Sequence, residues 1–278
     1  MKRLCTPCVV LLAGFLFAGC AGGASSPSSS SSPGESQNIS AATAIDKQAT
    51  EKVNSMISVS DSVERAYQRL ASECMVSKGY PDRKTYYMLE TYPVRSMLSP
   101  QPLSVEYARN SGYPSPTPPS RYASLEGSIN MTEQEGKAYY GDNGKGGCRE
   151  EAELKLYGSE TLAGTREEVT KKLLPYIRAS VSNRAYSSLD EEWARCMAER
   201  GYTYSSSDIA YDAVRGTPTE QQTAIDDATC REKINFEEKT GQVLDAYMTT
   251  FLEKEQGLIE QVTTAKKTAE ENARKTLG

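Results

Sequence analysis

Histidine is absent from the 278-residue sequence, and this excludes many kinds of active site. Ser-His-Asp and Cys-His catalytic sites, His-ligated zinc and His-ligated haem all need an imidazole. Chemistry that uses only carboxylates remains available. Tryptophan and phenylalanine are scarce as well, with one Trp and four Phe against seventeen Tyr. Tyrosine must therefore supply much of the aromatic packing.

Concentrated positive charge is also missing. The chain has 32 Lys and Arg against 37 Asp and Glu, for a formal net charge of −5. Nucleic-acid-binding proteins neutralise phosphates with clustered Lys and Arg. We therefore expect no nucleic-acid partner.

The first nineteen residues have the pattern of an export signal. Lys2 and Arg3 precede an apolar run of about 15 residues, a length that fits a signal peptide and is too short to span a bilayer. The run ends in Phe-Ala-Gly-Cys at 17–20, which resembles the lipobox of bacterial lipoproteins, although Phe17 stands where Leu, Val or Ile is usual. The resemblance implies that residues 1–19 are removed. It also implies that Cys20 is acylated, for example with palmitate, and holds a lipid-anchored protein at the extracytoplasmic face of the cell membrane. Phe17 leaves cleavage by the general signal peptidase as the alternative.

Residues 20–40 are almost entirely Gly, Ala, Ser and Pro. Such a composition cannot bury enough apolar surface to offset its chain entropy, so we predict a disordered tether with a mean reach of roughly 25 Å. The other interpretation is a disordered tail without a function. The rest of the chain is predicted to form two helical halves, 41–182 and 183–278.

Helical patterns dominate these two halves. Five capping-box patterns predict helix starts, at Asp61, Thr132, Thr165, Ser188 and Thr217. Strand-like alternation is nearly absent, so we predict an all-α fold. No proline follows Thr219, and apolar residues there approximate a heptad stripe: Leu244, Met248, Phe251, Leu258, Val262 and Ala265. This predicts one or two long helices at the C-terminal end, compatible with a coiled coil, that pack on their own chain, on a partner helix or on a second copy.

An irregular insertion is predicted between residues 80 and 122, which contain seven Tyr and eight Pro. Proline at this density argues against helix and favours loops or polyproline II. Tyrosine offers an apolar face and a hydroxyl group, so Tyr86, Tyr87, Tyr92 and Tyr113 are candidates for a surface that binds an envelope protein or a cell-wall glycan. The alternative is that the segment only covers the seams between helices.

Four cysteines outside the export signal fall into a repeat. Cys-Met-x-x-x-Gly-Tyr occurs at 74–80 and at 196–202, and Cys-Arg-Glu occurs at 148–150 and 230–232. Outside the cytoplasm an even set of cysteines indicates disulfides. Of three connectivities, the repeat favours Cys74–Cys148 with Cys196–Cys230. A metal site needs closer spacing and a redox pair needs Cys-x-x-Cys, so neither a metal nor another cofactor is predicted.

The second copy carries a resemblance to a family. Its Trp193-x-x-Cys196-Met-x-x-x-Gly201-Tyr202 element, followed by Asp-Ala-Thr-Cys at 227–230 and a Glu-rich helical stretch, resembles a set of uncharacterised actinobacterial exported lipoproteins. Gly-Gly-Cys at 146–148 and Leu-Tyr-Gly at 156–158 are similar to the middle of those chains. Members often have Phe after the glycine where this chain has Tyr. The resemblance implies an actinobacterial source, the location and the architecture, but no activity and no catalytic residues.

The functional expectation is a non-enzymatic binding or envelope-assembly role at the cell surface. The alternative is a cell-wall hydrolase that uses carboxylates, since acidic clusters at 150–151, 190–192 and 226–227 could supply a glycosidase pair. These clusters can equally be solvated helix surface. The segment 142–147 is either a calcium or phosphate loop or a plain turn before Cys148. A transporter's ligand-binding component is the third option, but it would show alternating strands and helices in two lobes.

Overall fold

The computed structural model describes residues 39–82, 89, 93–98, 101–114 and 131–278. The predicted signal peptide and Cys20 lie outside these residues. The described part consists of α-helices with one short hairpin and one 3-10 turn, which confirms the all-α fold class. Residues 39–278 form one compact unit. Among the described helices, none combines the length and the apolar character needed to cross a membrane.

The helices are numbered in chain order. They are α1 (Ala49–Ile57), α2 (Asp61–Ser77), α3 (Val105–Ser111), α4 (Glu133–Tyr140), α5 (Cys148–Tyr157), α6 (Glu160–Val181), α7 (Arg184–Ala198), α8 (Ser207–Val214), α9 (Glu220–Lys233), α10 (Phe236–Lys254) and α11 (Gln256–Leu277). The 3-10 turn is Val94–Met97, and the antiparallel hairpin consists of β1 (Gly141–Asp142) and β2 (Lys145–Gly146).

The hairpin explains the segment 142–147. Asn143 and Gly144, its two central residues, have positive φ angles of 56° and 81°, as a type I′ turn requires and as Asn-Gly favours. At Gly147 a Cβ atom would lie 2.3 Å from the carbonyl oxygen of Tyr139, so only glycine fits. The segment is therefore a tight turn that leads into α5, in agreement with the plain-turn interpretation.

One of the five predicted capping boxes is present. At α4 the Thr132 hydroxyl accepts a hydrogen bond from the Glu135 N–H, and the Glu135 carboxylate accepts one from the Thr132 N–H. The patterns that start at Thr165 and Ser188 lie inside α6 and α7, and the other two are displaced by one or two residues. The side chains that cap α2, α6 and α7 are Ser60, Ser159 and Asn183. The same i, i+3 spacing also occurs along a helix face, so the pattern alone does not distinguish a helix start from a helix interior.

The prediction that 80–122 contains no helix is wrong for α3. No proline occurs between Pro102 and Pro114, and the Ser104 hydroxyl caps the helix by accepting from the Tyr107 N–H at 3.1 Å. This local run is long enough for two helical turns, which pack on α9. The prediction missed this helix because it counted proline over the whole of residues 80–122.

The C-terminal stretch is three helices, α9 to α11, in place of one or two long ones. Asn235 has a left-handed backbone, with φ of 55°, and ends the path of α9. A second break falls at Glu255. The predicted stripe packs within its own chain, because Leu244, Met248, Phe251, Val262 and Ala265 are all buried against other helices.

Two large groups of buried side chains form the centre of the molecule. The first core lies among α2, α5 and α11 and includes Tyr67, Met75 and Leu156. The second core lies among α1, α6, α10 and the start of α11 and includes Leu173 and Phe251. Helix α11 contributes to both, so the boundary between the two cores runs along it.

Candidate functional site

Both predicted disulfides are present. Cys74–Cys148 joins α2 to α5 with a Cα–Cα distance of 5.6 Å, and Cys196–Cys230 joins α7 to α9 with a Cα–Cα distance of 5.7 Å. Each bridge therefore connects the Cys-Met helix of one copy of the repeat to the Cys-Arg-Glu helix of the same copy, as the repeat indicates.

The Cys-Met helices of the two copies end with the same backbone geometry. Gly79 and Gly201 have φ angles of 87° and 90°, the left-handed conformation that ends a helix. The following tyrosines donate their N–H groups back to methionine carbonyls, Tyr80 to Met75 at 3.0 Å and Tyr202 to Met197 at 3.1 Å. Each copy thus holds its cysteine one turn before a Schellman-type helix end.

A buried polar cluster, here called the Asp227 network, surrounds the second bridge. The Asp227 side chain is fully buried and accepts hydrogen bonds from four side chains. Its Oδ1 accepts from the Trp193 indole and from the Arg231 Nε, both at 2.7 Å. Its Oδ2 accepts from the Tyr113 hydroxyl at 3.0 Å and from the Ser207 hydroxyl at 2.6 Å. The network ties α7, α8 and α9 to Tyr113, two residues after the end of α3.

Arg231 completes the network from the other side. Its side chain is 2% exposed, and its Nη1 donates to the Gln101 carbonyl at 2.8 Å and to Glu237 at 3.0 Å. Burial disfavours the charged guanidinium, but the negative charges of Asp227 and Glu237 outweigh it and raise the pKa of Arg231. Each of these groups is hydrogen-bonded within the network, and none of them lines either of the two cavities described below. The network is therefore a structural element.

Tyr113, one of the four candidates for a binding surface, is not at the surface. It is 7% exposed, its ring packs edge-on against Tyr211 at 5.3 Å, and its hydroxyl belongs to the Asp227 network. Burial, followed by the charge of Asp227, raises the pKa of Tyr113. The other three candidates, Tyr86, Tyr87 and Tyr92, lie outside the described residues, as does the predicted lipidation site Cys20.

A crevice lies at the boundary between the two cores and is called here the seam crevice. It has a volume of about 430 Å³ counting its open mouth, but its interior leaves room for only one or two water molecules. Val63 and Ala269 reach it from the first core, and Val169 and Val262 from the second. Its other lining residues are Met56, Ile57, Ser58, Val59, Ser60, Tyr157, Thr165, Arg166, Lys266 and Glu270. The walls are thus mainly apolar.

Residues 58–60, which connect α1 to α2, border the crevice and are called here the corner. Lys266 on α11 donates from its Nζ to the carbonyl of Ser58 at 3.0 Å and also to the carbonyl of Ser55. Both carbonyls are at the C-terminal end of α1, where the helix dipole favours a cation. Partial burial lowers the pKa of Lys266.

One turn further along α11, Glu270 binds the opposite side of the corner. Its Oε2 accepts from the Ser62 hydroxyl at 2.8 Å. Hydrogen bonding from Ser60 is the main cause that lowers the pKa of Glu270, with Ser62 contributing as well. These serines are at the N-terminal end of α2, where the dipole favours an anion. Lys266 and Glu270 therefore clamp the two helix ends that meet at the corner.

A second cavity is wider and shallower. It has a volume of about 780 Å³ with its open side, and it lies where residues 41–45 cross α7 and α10. Small side chains, Ala41, Ala42, Ala185 and Ala246, form much of its floor. A binding pocket normally buries most of its ligand, and this groove is more open to solvent than the seam crevice. It is therefore the weaker candidate.

The acidic clusters are mostly engaged elsewhere. Asp226 binds Arg200 at 2.7 Å and Tyr202 at 2.9 Å. Burial, followed by the negative charge of Asp208, raises the pKa of Asp190 to about 6. Neither Asp190 nor Asp208 lines either cavity. Among the residues that line the two cavities described above, Glu270 is the one carboxylate.

Sequence reasoning missed both the Asp227 network and the seam crevice. A weak signal for each exists: Asp227 and Arg231 are four residues apart on one helix, and so are Lys266 and Glu270. Such pairs are common on solvated helix faces, so spacing alone does not reveal that these are drawn into the interior. Comparison of the chain with protein-family models, with curated proteins and with solved structures found no match.

Proposed function

We propose that this chain is a lipid-anchored protein of the outer face of the cell membrane that binds a small, predominantly apolar molecule in the seam crevice. The two disulfides support an oxidising compartment, and the lipobox-like sequence at 17–20 supports the anchor on Cys20. The observation that carries the binding role is the crevice itself, which has apolar walls from two separate cores.

The chemistry of the lining favours an apolar ligand. Three charged side chains line the crevice, and all have partners. Lys266 and Glu270 are hydrogen-bonded to the chain around the corner, and Arg166 is hydrogen-bonded to Tyr157. Affinity would then come from apolar area removed from water, at roughly 25 cal/mol per Å². Because the lining is mainly apolar, an aliphatic chain suits it better than a sugar ring, whose hydroxyl groups would lose their hydrogen bonds to water. The ligand class is therefore a molecule with an unbranched alkyl or acyl chain.

Binding can be tested with the oxidised protein from residue 20, carrying Cys20→Ser so that no acyl chain competes. The probe is N-phenyl-1-naphthylamine, whose fluorescence rises in apolar surroundings, and dodecanol is the competitor. We expect saturable binding of one probe per chain and displacement by dodecanol. Failure of the folded protein to bind either compound would refute the proposal.

Two variants locate the site. Val262→Phe fills the crevice and is expected to weaken probe binding at least tenfold, whereas Thr263→Phe on the exposed side of α11 leaves it unchanged. Ala269→Leu fills the crevice from the other core and serves if Val262→Phe does not fold. Unchanged binding in a folded crevice variant would place the ligand elsewhere.

One observation favours the hydrolase alternative, the raised pKa of Asp190 beside Asp208, because a general acid needs a proton near neutral pH. The protein would be incubated with isolated cell wall and assayed for released muropeptides. Release that is abolished by Asp190→Asn and retained by Glu191→Gln, an exposed neighbour, would replace the binding role with hydrolysis. Retention of the protein on the wall without release would argue against hydrolysis.

A further inference from the structure

We propose that Lys266 and Glu270 form a latch that keeps the seam crevice closed, and that an apolar ligand enters when the corner moves away from α11. The inference rests on the proposed binding function, since it concerns entry to the same crevice. It starts from the mismatch between the apolar walls and the small space between them.

The corner is the part of the chain that covers the crevice. Ile57 and residues 58–60 line it in succession. Val59 packs against the first core, whereas Met56 and Ile57 pack against the second. Residues 56–60, here called the strip, include the corner and contact both cores above the crevice. If the strip were lifted, the space between the cores would open along α11.

The apolar contacts of this strip are incomplete. Met56, Ile57 and Val59 are only partly buried, and Ser58 is exposed. Side chains held in this way lose little buried area when they move a short distance. By contrast, Val63 and Val262 deeper in the crevice are buried. The strip is therefore the wall that can move at least cost.

Polar bonds hold the strip in place. Lys266 binds the C-terminal end of α1, and Glu270 binds the N-terminal end of α2. Each charge therefore interacts favourably with the dipole of the helix that it binds. Both side chains come from one rigid helix at i, i+4 spacing. Hydrogen bonds to charged groups are stronger than those between neutral groups. Because two side chains on one helix hold both sides of the corner, loss of either should free it.

The rate of ligand entry distinguishes a latch from a pair of side chains that only stabilises the two helix ends. Lys266→Met and Glu270→Met each remove one hold, and Lys267→Met and Glu271→Met are matched controls on exposed neighbouring positions. Association of N-phenyl-1-naphthylamine would be followed by stopped-flow fluorescence at several probe concentrations. We expect each latch variant to bind on the order of tenfold faster than wild type, with the controls within about twofold. Lys266→Arg keeps the charge and should retain the slow rate.

Folded latch variants that bind at the wild-type rate, even with reduced stability, would overturn the latch and leave the binding function intact. If wild type and all variants bind no probe, the proposed function fails and the latch fails with it. Should Lys266→Met not fold, Glu270→Met, whose side chain has the length of glutamate but accepts no comparable hydrogen bond, decides the question.

Discussion

The two copies of the cysteine repeat share a helix end, a disulfide and a Cys-Arg-Glu sequence, yet they place the arginine differently. In the second copy Arg231 is 2% exposed and bonded within the Asp227 network. In the first copy the Arg149 side chain is 53% exposed and pairs with Glu153 at 3.2 Å. The residues nearest the cysteines are alike, so the difference must arise from what precedes them.

The position at which each helix begins explains why the two arginines differ in burial. Helix α9 begins ten residues before Cys230, so Asp227 lies on the same helix four residues before Arg231. Helix α5 begins at Cys148 itself, and the position four residues before Arg149 is Lys145 on the hairpin. Arg149 therefore finds its carboxylate four residues later, on the outer face. The repeated cysteine motifs determine the bridges. The length of helix before Cys-Arg-Glu determines whether the arginine is buried in the core.

The first copy fills the corresponding interior with neutral groups. Tyr67 and Tyr139 are buried, and their hydroxyl groups are 2.7 Å apart. Burial raises the pKa of both phenols, so each stays neutral. The second copy thus depends on a buried ion pair where the first depends on a neutral hydrogen bond, and this difference can be measured.

The largest contrast is expected from Asp227→Asn against Glu153→Gln. Asp227→Asn leaves Arg231 buried without its main counter-charge and should lower the free energy of unfolding by about 3–5 kcal/mol. Glu153→Gln breaks a partly exposed pair and should cost about 1 kcal/mol. Urea denaturation of the oxidised proteins measures both. Equal losses would contradict the contrast between the copies.

Removing each bridge tests whether the bridges contribute alike. Chain entropy predicts a loss of about 4 kcal/mol for Cys74→Ala with Cys148→Ala and for Cys196→Ala with Cys230→Ala. The sequence separations of 74 and 34 residues make the first loss larger by about 0.7 kcal/mol. The measurement is denaturation of each double variant with the other bridge intact. A larger loss in the second copy would show that packing around Trp193 adds to the effect of the bridge.

Smaller losses of stability are expected when single hydrogen bonds are removed. Trp193→Phe removes a donor to the buried carboxylate of Asp227 and should cost about 2 kcal/mol, whereas Tyr67→Phe removes one neutral bond and should cost about 1 kcal/mol. Thermal and urea unfolding, followed by circular dichroism, would rank them. The reverse ranking would mean that the neutral pair is the more important of the two.

The smallest effect should be the same in both copies. Gly79→Ala and Gly201→Ala place a side chain at a left-handed position, and no other atom lies within 4 Å of the new Cβ. Backbone strain alone should cost about 1 kcal/mol in each case. Losses that differ by more than about 0.5 kcal/mol would show that the two helix ends are not equivalent after all.

Features set by short local patterns could be predicted from the sequence. The helix ends at Gly79 and Gly201 and the position of Trp193 beside Cys196 depend on residues within one or two turns. The two bridges follow from the repeated motifs that carry the cysteines. Features set by packing could not. The burial of Tyr113 depends on Asp227, more than a hundred residues away. The seam crevice likewise exists only because α1, α6 and α11 meet, and no local pattern encodes such a meeting.

The two disulfide loops do not cross: residues 74–148 are closed before residues 196–230 begin. A chain that emerges amino end first from a ribosome or a channel exposes Cys74 and Cys148 together before Cys196 is present. For each pair, the first partner to become available is then the native one. An oxidant that acts during emergence would make both bonds in order of appearance, and the reshuffling that crossed connectivities demand would not be needed.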